Sequence, residues 1–197
     1  MGSSFPDLVK QALAQRSRWI LTDESLMPAA VLLTLYPKNG EYCVLLNKRS
    51  EIVEHHKGEI SFPGGARDPE DGDFQETALR EAEEEMGINP SDVTILGQLD
   101  DAVTRSGFGV RVFVGAIPHS YPFSPSDLEI AEVLEVPVRS LYDPANIRWE
   151  TRLTGEGLTT VYSYVHDEHV VFGATAKILQ QFLDIMEEPL KKEGLTS

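Results

Sequence analysis

The chain has 197 residues, 41% of them hydrophobic and 25% charged, which is typical of one globular domain with a sizeable core. It carries 32 acidic against 17 basic residues, a formal net charge of −15. That balance excludes a non-specific nucleic-acid surface, because such surfaces need an excess of Lys and Arg. No apolar run approaches about 18 residues and no apolar signal core stands at the start, so we expect a cytoplasmic protein without a membrane span.

The first predicted elements are a helix and a strand pair. Residues 6–20 show helical spacing and predict an N-terminal helical extension over residues 1–22, whose apolar side consists of Leu8, Val9, Leu13 and Ile20. Apolar runs at 29–35 and 42–46 predict two strands, and Asn39-Gly40 between them predicts a tight hairpin. The single cysteine, Cys43, excludes an internal disulfide, and its place in an apolar run predicts a buried structural thiol.

Basic and imidazole side chains follow the second predicted strand. Lys48 and Arg49 end that strand, and we favour contact with substrate phosphates over a basic edge that discourages strand addition. His55 and His56 lie in the following loop, with no Cys or His cluster near them in sequence. We therefore expect these two histidines to be exposed or to face the substrate, rather than to bind zinc.

The most informative stretch runs from Gly58 to Ile88. Asp73 followed by Glu76 predicts a capping box, and Gly87 predicts the end of that helix. Glu81, Glu84 and Glu85 recur at i, i+3 and i+4, so they share one side of the helix and repel one another unless a cation lies among them. Hard oxygen ligands favour Mg²⁺, Mn²⁺ or Ca²⁺ over zinc. Upstream, Phe62-Pro63-Gly64-Gly65 follows a short strand-like run, and its paired glycines allow the backbone to approach a ligand closely.

Gly65 to Ile88 resembles the Nudix box of the Nudix hydrolases, in which a Gly and a mid-loop Glu precede an Arg-Glu-apolar-x-Glu-Glu-x-Gly-apolar run. The second half matches at every fixed position, namely Arg80, Glu81, Ala82, Glu84, Glu85, Gly87 and Ile88. The first half departs from the box, because the loop is one residue longer. Gly72 stands where counting back from Arg80 places the mid-loop acid, and Asp71 is the acid at that distance counted forward from Gly65.

A second motif resembles the coenzyme A pyrophosphatase branch of that family. It comprises Leu45 to Ser50, then Gly58, then the Phe-Pro-Gly-Gly run, and the segments at 106–108, 122–126, 132–137 and 172–176 also look like this branch. Two positions depart from the motif, with Asn47 in place of Thr and Glu54 in place of Arg. Glu54 reverses a charge in a substrate-facing element. A diphosphatase for another nucleotide, such as a dinucleotide or an ADP-sugar, therefore stays open beside coenzyme A.

Further predicted elements follow the helix that carries Glu81, Glu84 and Glu85. Residues 93–99 and 110–117 predict strands that flank a loop in which Arg105 or Arg111 could bind a phosphate or ribose, and Phe108 could stack on a base. Residues 118–125 predict an irregular excursion, 134–137 a strand and 137–142 a short helix. Residues 159–166 and 170–172 predict a last hairpin, and 173–188 a closing amphipathic helix.

The fold class that these elements predict is α/β, an α/β/α sandwich on a mixed sheet, and the resemblance implies the same Nudix fold. We expect a single domain over residues 1–197 with its core at 30–188. The resemblance implies metal-dependent hydrolysis of a nucleoside diphosphate linked to another moiety. The best substrate guess is coenzyme A or acyl-CoA, cut to phosphopantetheine and adenosine 3′,5′-bisphosphate. It also implies a small-molecule nucleotide partner and makes a homodimer plausible.

The resemblance assigns roles to particular residues. Mg²⁺ or Mn²⁺ would be held by Glu81, Glu84, Glu85 and the Gly65 carbonyl. A carboxylate, with Glu132 as first choice and Glu129 as second, would complete deprotonation of the attacking water, while Arg80 would hold the acidic face in register. Candidate substrate-binding residues are Lys48, Arg49, Ser61, Gly64, Arg105 and Phe108. A nucleotide sensor that does not cleave its ligand is the alternative from another class, and the three retained acids weigh against it.

Overall fold

The computed structural model describes residues 4–50, 58–154 and 157–192. The helices in these ranges are α1 (Phe5–Ala14), α2 (Phe74–Met86) and α3 (Gly173–Lys192). The strands are β1 (Met27–Lys38), β2 (Glu41–Arg49), β3 (Ile60–Ser61), β4 (Gly64–Ala66), β5 (Thr94–Gln98), β6 (Ala102–Val103), β7 (Phe108–Ala116), β8 (Ile130–Pro137), β9 (Ile147–Thr154), β10 (Gly157–His166) and β11 (His169–Val171). Short 3₁₀ turns lie at Pro90–Asp92, Val138–Tyr142 and Pro144–Asn146.

The main sheet is mixed, as the sequence predicts. Its central path runs β3-β2-β1-β7-β5, with β4 also pairing with β1, β6 with β7 and β8 with β2. β1 and β7 are parallel, whereas the other pairings are antiparallel. A smaller antiparallel sheet has the strand order β11-β10-β9 and is formed by the last third of the chain.

Two hydrophobic cores cover the two faces of the main sheet and place its helices. Helix α2 packs on one face through Ala78, Ala82 and Met86, all fully buried. Helices α1 and α3 pack on the other face, where apolar residues of both helices join alternate residues of β1, β2 and β7. Successive side chains of a strand point to opposite faces of the sheet. Because the central strands are apolar at consecutive positions, both faces can be buried at once. The α/β/α sandwich is therefore confirmed.

Local sequence signals fix several element ends as predicted. The β1–β2 turn places Asn39 at φ 51° and Gly40 at φ 83°, which is the twist that a two-residue hairpin needs. Asp73 caps α2 by accepting from the Glu76 backbone N–H, and Gly87 ends it at φ 68°. The reciprocal half of the predicted capping box differs, because the Glu76 carboxylate accepts from the Gly72 N–H.

The predicted helix over 6–20 is wrong in its second half, since α1 ends at Ala14. The Trp19 and Leu21 backbone N–H groups donate to the carboxylates of Asp100 and Asp101 instead of to helical carbonyls. Ile20, placed on the apolar side of that helix, is half exposed.

The sequence reading also missed β9, whose residues pair with β10 from Ile147 to Thr154. Its alternation of Ile147, Trp149 and Leu153 with charged residues is a period-2 signal that could have revealed it. The predicted hairpin at 159–166 and 170–172 is present as β10 and β11, and the closing helix continues to Lys192. No helix in the described ranges combines the length and apolar character of a membrane span.

Candidate functional site

The three box acids on α2 lie at different depths. The exposed fraction of the side chain is 55% for Glu84, 16% for Glu81 and 1% for Glu85. The helix turns by about 100° per residue, so acids at i, i+3 and i+4 form a ridge that runs from solvent to the sheet. This gradient gives each acid a different electrostatic environment, although their chemistry is the same.

Glu85 is inserted between α2 and the strands β2 and β4. Its Oε2 accepts from Asn47 Nδ2 at 2.8 Å and from the Gly64 N–H at 3.2 Å, and its Oε1 accepts from Arg49 Nη1 at 2.7 Å. Burial raises the pKa of this carboxyl from 4.5 to about 7, and the charge of Arg49 with the Gly64 and Asn47 hydrogen bonds offsets part of that rise.

Arg80 binds the box loop to the helix. Its guanidinium donates to both carboxylate oxygens of Asp71 at 3.0 and 3.1 Å and to the Ala66 carbonyl at 3.1 Å. Its Nη1 also donates to Glu81 at 2.9 Å and to Glu84 at 3.0 Å. The hydrogen bonds from Arg80 hold the pKa of the buried Asp71 carboxyl well below its usual range. The loop acid is thus engaged in a bidentate pair that shapes the loop.

Both glycines of β4, Gly64 and Gly65, lie where a side chain would collide with neighbouring atoms. A Cβ at Gly65 would come within 2.6 Å of the Glu81 carboxylate, so the absence of a side chain lets that carboxylate lie against the backbone of β4. Burial raises the pKa of Glu81, although its bonds to Arg80 oppose the rise. Gly64 is equally constrained, since a Cβ there would lie 2.4 Å from the Ala30 carbonyl oxygen.

The donor set fits a hard divalent cation. Glu81 and Glu85 are acidic groups whose burial disfavours their charge, and the absence of a side chain at Gly65 lets the Glu81 carboxylate lie beside the backbone of β4. Across the part of the chain that the structure describes, no three His, Cys, Asp or Glu side chains are gathered as a ready ligand set. Arg80 and Arg49 bond these acids, so a cation would compete with the two guanidinium groups.

A cavity of about 710 Å³, within the usual range for small-molecule sites, is lined in part by Arg49 and Gly64, which both bond Glu85. Its walls come from the main sheet, from the loop between β6 and β7, from β9 and β10, and from the start of α3. Five of the six predicted substrate-binding residues line it: Arg49, Ser61, Gly64, Arg105 and Phe108. Apolar residues also line it, among them Val31, Ile60, Val103, Val161, Phe172 and Ile178.

Other predicted site residues lie elsewhere. Lys48 pairs in register with Glu132 across β2 and β8, one residue out of phase with Asn47, so both side chains lie on the face that carries α3. There the Glu132 carboxylate contacts His169 Nε2 at 3.1 Å. Lys48, Glu132 and Arg111 are not among the residues that line the cavity, and Arg111 pairs with Asp101.

Glu129 lies outside the box in sequence, but the fold places its carboxylate close to the box acids. Its carboxylate lies 3.7 Å from Arg49 Nη2, and its charge contributes to the raised pKa of Glu81. The Glu129 backbone carbonyl accepts from the Ser50 N–H at 2.7 Å, which fixes the loop next to the end of β2. Glu54, His55 and His56 lie outside the described residues.

Two contributors were missed by sequence reasoning. Asn47 had no assigned role, yet it lies two residues before Arg49 on the same face of β2, and that spacing could have paired both with the box helix. The cavity wall from β9 and β10 could not be foreseen without the β9 strand, because its lining residues, Glu150 to Ser163, follow the end of the box by more than 60 positions.

Comparison with known proteins gives a consistent result. A model of the family described as NUDIX domain matches residues 26–154. A protein of Yersinia enterocolitica named as an uncharacterized Nudix hydrolase, NudL, is 36% identical over 153 residues, covering 78% of each chain. A NudL of Photorhabdus laumondii is 35% identical over 153 residues, covering 78% of this chain and 81% of that one.

Solved structures support the fold. A Nudix hydrolase of M. smegmatis, RenU, matches with a TM-score of 0.57 and 20% identity, covering 86% of this chain and 88% of that one. A Nudix hydrolase of Alicyclobacillus acidocaldarius matches with a TM-score of 0.53 and 20% identity, covering 87% and 97%.

Proposed function

This chain belongs to the Nudix hydrolase family, and from that membership we propose that it hydrolyses coenzyme A or acyl-CoA at the diphosphate. Nudix hydrolases act on nucleoside diphosphate derivatives and generally use divalent metal ions. One observation carries the proposal: the acidic ridge of α2 is intact, and its buried acid Glu85 bonds Arg49 and the Gly64 N–H, two residues that also line a large cavity.

The metal site follows from the ridge. Glu81, Glu84 and Glu85, with the Gly65 carbonyl, would hold Mg²⁺ or Mn²⁺. When bound, the cation neutralises the diphosphate, lowers the pKa of a water and stabilises charge on the leaving phosphate. The protein's own contribution is to hold these acids in place, Glu81 against Gly65 and Glu85 against Asn47.

The remaining steps belong to side chains around the ridge. Arg49 lies in the cavity wall, where its guanidinium can pair with a substrate phosphate. A water oxygen attacks one phosphorus, the bond from that phosphorus to the bridging oxygen breaks, and the water proton passes to a carboxylate. We assign this proton to Glu129, because it is the acid outside the box that lies beside both Arg49 and Glu81.

The choice of coenzyme A has its own support. The run from Leu45 to Ser50 and the Phe-Pro-Gly-Gly segment, which carry the resemblance to the coenzyme A branch, meet at the box, since Arg49 and Gly64 both bond Glu85. The cavity also offers the half-buried ring of Phe108 and the exposed Arg105 at one side and an apolar wall at the other. These features suit a base and phosphate joined to a long, weakly polar arm.

Two alternatives are kept. A diphosphatase for a dinucleotide or an ADP-sugar would use the same acids, with the cavity occupied by a second nucleoside or sugar. A nucleotide sensor without catalysis is disfavoured, because all three acids of the ridge, Glu81, Glu84 and Glu85, are present.

The test is incubation of purified protein with coenzyme A and Mg²⁺, with chromatography of the products and an EDTA control. We expect metal-dependent formation of phosphopantetheine and adenosine 3′,5′-bisphosphate, lost in a Glu85→Gln variant. Acetyl-CoA, an ADP-sugar and a dinucleoside diphosphate form the panel beside it. Cleavage of one of the latter two but not of coenzyme A would replace the substrate, and cleavage of none would favour the sensor.

A further inference from the structure

Asn47 is a fully buried polar residue whose side chain bridges two strands to the box helix. Its Nδ2 donates to Glu85 Oε2 at 2.8 Å, and its Oδ1 accepts from the Ser61 hydroxyl at 2.9 Å. The amide orientation follows from these partners, because an ionised carboxylate only accepts hydrogen bonds. The opposite orientation would set the amide oxygen against the Glu85 carboxylate.

The hydrogen bonds divide the two oxygens of Glu85 unequally. An ionised carboxylate has about four lone-pair sites, two on each oxygen. Oε2 accepts from Asn47 and from the Gly64 N–H, whereas Oε1 accepts from Arg49. Oε2 is therefore saturated by the buried Asn47 amide and a backbone N–H, and Oε1 keeps one site in addition to the bond from Arg49.

The two partners of Glu85 also differ in permanence. Asn47 has no exposed surface, so neither water nor a ligand can replace its bond to Glu85. The Arg49 side chain is 22% exposed and lies in the cavity wall, with Glu129 3.7 Å away as an alternative partner. Arg49 can therefore yield Oε1 when a ligand arrives, while Asn47 continues to hold Oε2.

We propose that Asn47, anchored by Ser61, is a positioning residue that saturates Oε2 of Glu85 and so directs Oε1 to a divalent cation. The proposal rests on Glu85 being a metal ligand in the proposed function, and it adds which oxygen serves and what holds the other one. Outer partners of this kind typically affect metal affinity by about 10–100-fold.

The primary measurement is Mn²⁺ binding by electron paramagnetic resonance, on purified protein without substrate. Asn47→Leu removes both hydrogen bonds at similar volume and is expected to weaken Mn²⁺ binding by about 10–100-fold. Asn47→Thr keeps a hydroxyl that can donate and accept, so we expect it to recover part of that loss. The matched control is Cys43→Ala, a buried substitution on the same strand and the same face, for which we expect wild-type Mn²⁺ affinity.

A double-mutant cycle separates positioning from a general loss of packing. If Asn47 acts through Glu85, then Asn47→Leu should cost nothing further in a Glu85→Gln background. Equal losses in both backgrounds would overturn the proposal, as would unchanged Mn²⁺ affinity in Asn47→Leu. If that variant does not fold, Ser61→Ala decides instead: a smaller weakening supports the anchor, and wild-type affinity overturns it.

Failure of the proposed function would look different. Wild-type protein that binds Mn²⁺ in an Asn47-dependent way but cleaves no diphosphate would retain the positioning role and overturn the hydrolase assignment. Wild-type protein that binds no Mn²⁺ would overturn both.

Discussion

Two clusters in this protein pair carboxylates with arginines, but the carboxyl pKa values shift in opposite directions. The box cluster consists of Glu81, Glu85, Arg80 and Arg49, with Asn47. The anchor cluster consists of Asp100, Asp101, Arg16, Arg18 and Arg111, and it ties the segment after α1 to the sheet. Burial raises the pKa of both glutamates in the box cluster, whereas the pKa of Asp100 in the anchor cluster is lowered.

The difference lies in what surrounds each carboxylate. Burial also acts on Asp100, but it accepts from the Trp19 N–H at 2.8 Å, from Arg16 and from Gln181, and these bonds outweigh the burial. Asp101 accepts from the Leu21 N–H at 2.6 Å and from Arg18 at 3.0 Å. An acid satisfied in this way stabilises the fold. The box acids remain under-compensated, which is the state that a cation can relieve.

The largest effect is expected for Glu85→Gln, which removes the charge and keeps the shape. Because the amide cannot replace the carboxylate as ligand, turnover should fall by about 10²–10⁴-fold, the range seen when catalytic acids and bases are removed. Turnover per folded molecule and the thermal unfolding midpoint are the measurements. Glu83→Gln, an exposed position on the same helix, is the matched control and should keep wild-type turnover. Wild-type turnover in Glu85→Gln would remove the box from the mechanism.

A second pair of substitutions compares the role of Glu129, in the loop before β8, with that of Glu132, within β8. Glu129→Gln should lower turnover by about 10²-fold if it accepts the proton. Glu132→Gln should leave turnover unchanged, because Glu132 contacts His169 and does not line the cavity. Steady-state kinetics at saturating metal provide the comparison. The reverse outcome would restore the original sequence prediction, in which Glu132 ranked first.

The smallest effect is expected in the anchor cluster and concerns stability alone. Asp100→Asn should lower the free energy of unfolding by about 1 kcal/mol, a charge-assisted bond discounted for partial exposure. Its folded pKa is below the ordinary 3.8, so this contribution is fully present above that value and is lost as the pH falls through the folded pKa. Urea unfolding of wild type and variant should therefore differ at pH 7 and converge once the pH falls below the folded pKa. A constant difference across that range would show that packing, not charge, is lost.

The sequence by itself determined the local features of the site. Asp73 and Gly87 fix the ends of α2, because a cap and a left-handed residue act within one turn of the chain. The spacing of Glu81, Glu84 and Glu85 fixes their common side, because helical periodicity is independent of the surroundings. The Asn39-Gly40 turn was predictable for the same reason.

Only the tertiary structure decided how those acids differ. β2 brings Asn47 and Arg49 to Glu85 across 38 and 36 positions of sequence, and this contact makes Glu85 the buried acid of the ridge. The register of β8 against β2 places Glu132 on the face of the sheet opposite α2, and the loop before β8 places Glu129 close to Arg49. The end of α1 and the cavity wall from β9 likewise depend on partners distant in the chain. Burial, pKa and access to the cavity are properties of such long-range contacts, which neither residue type nor spacing encodes.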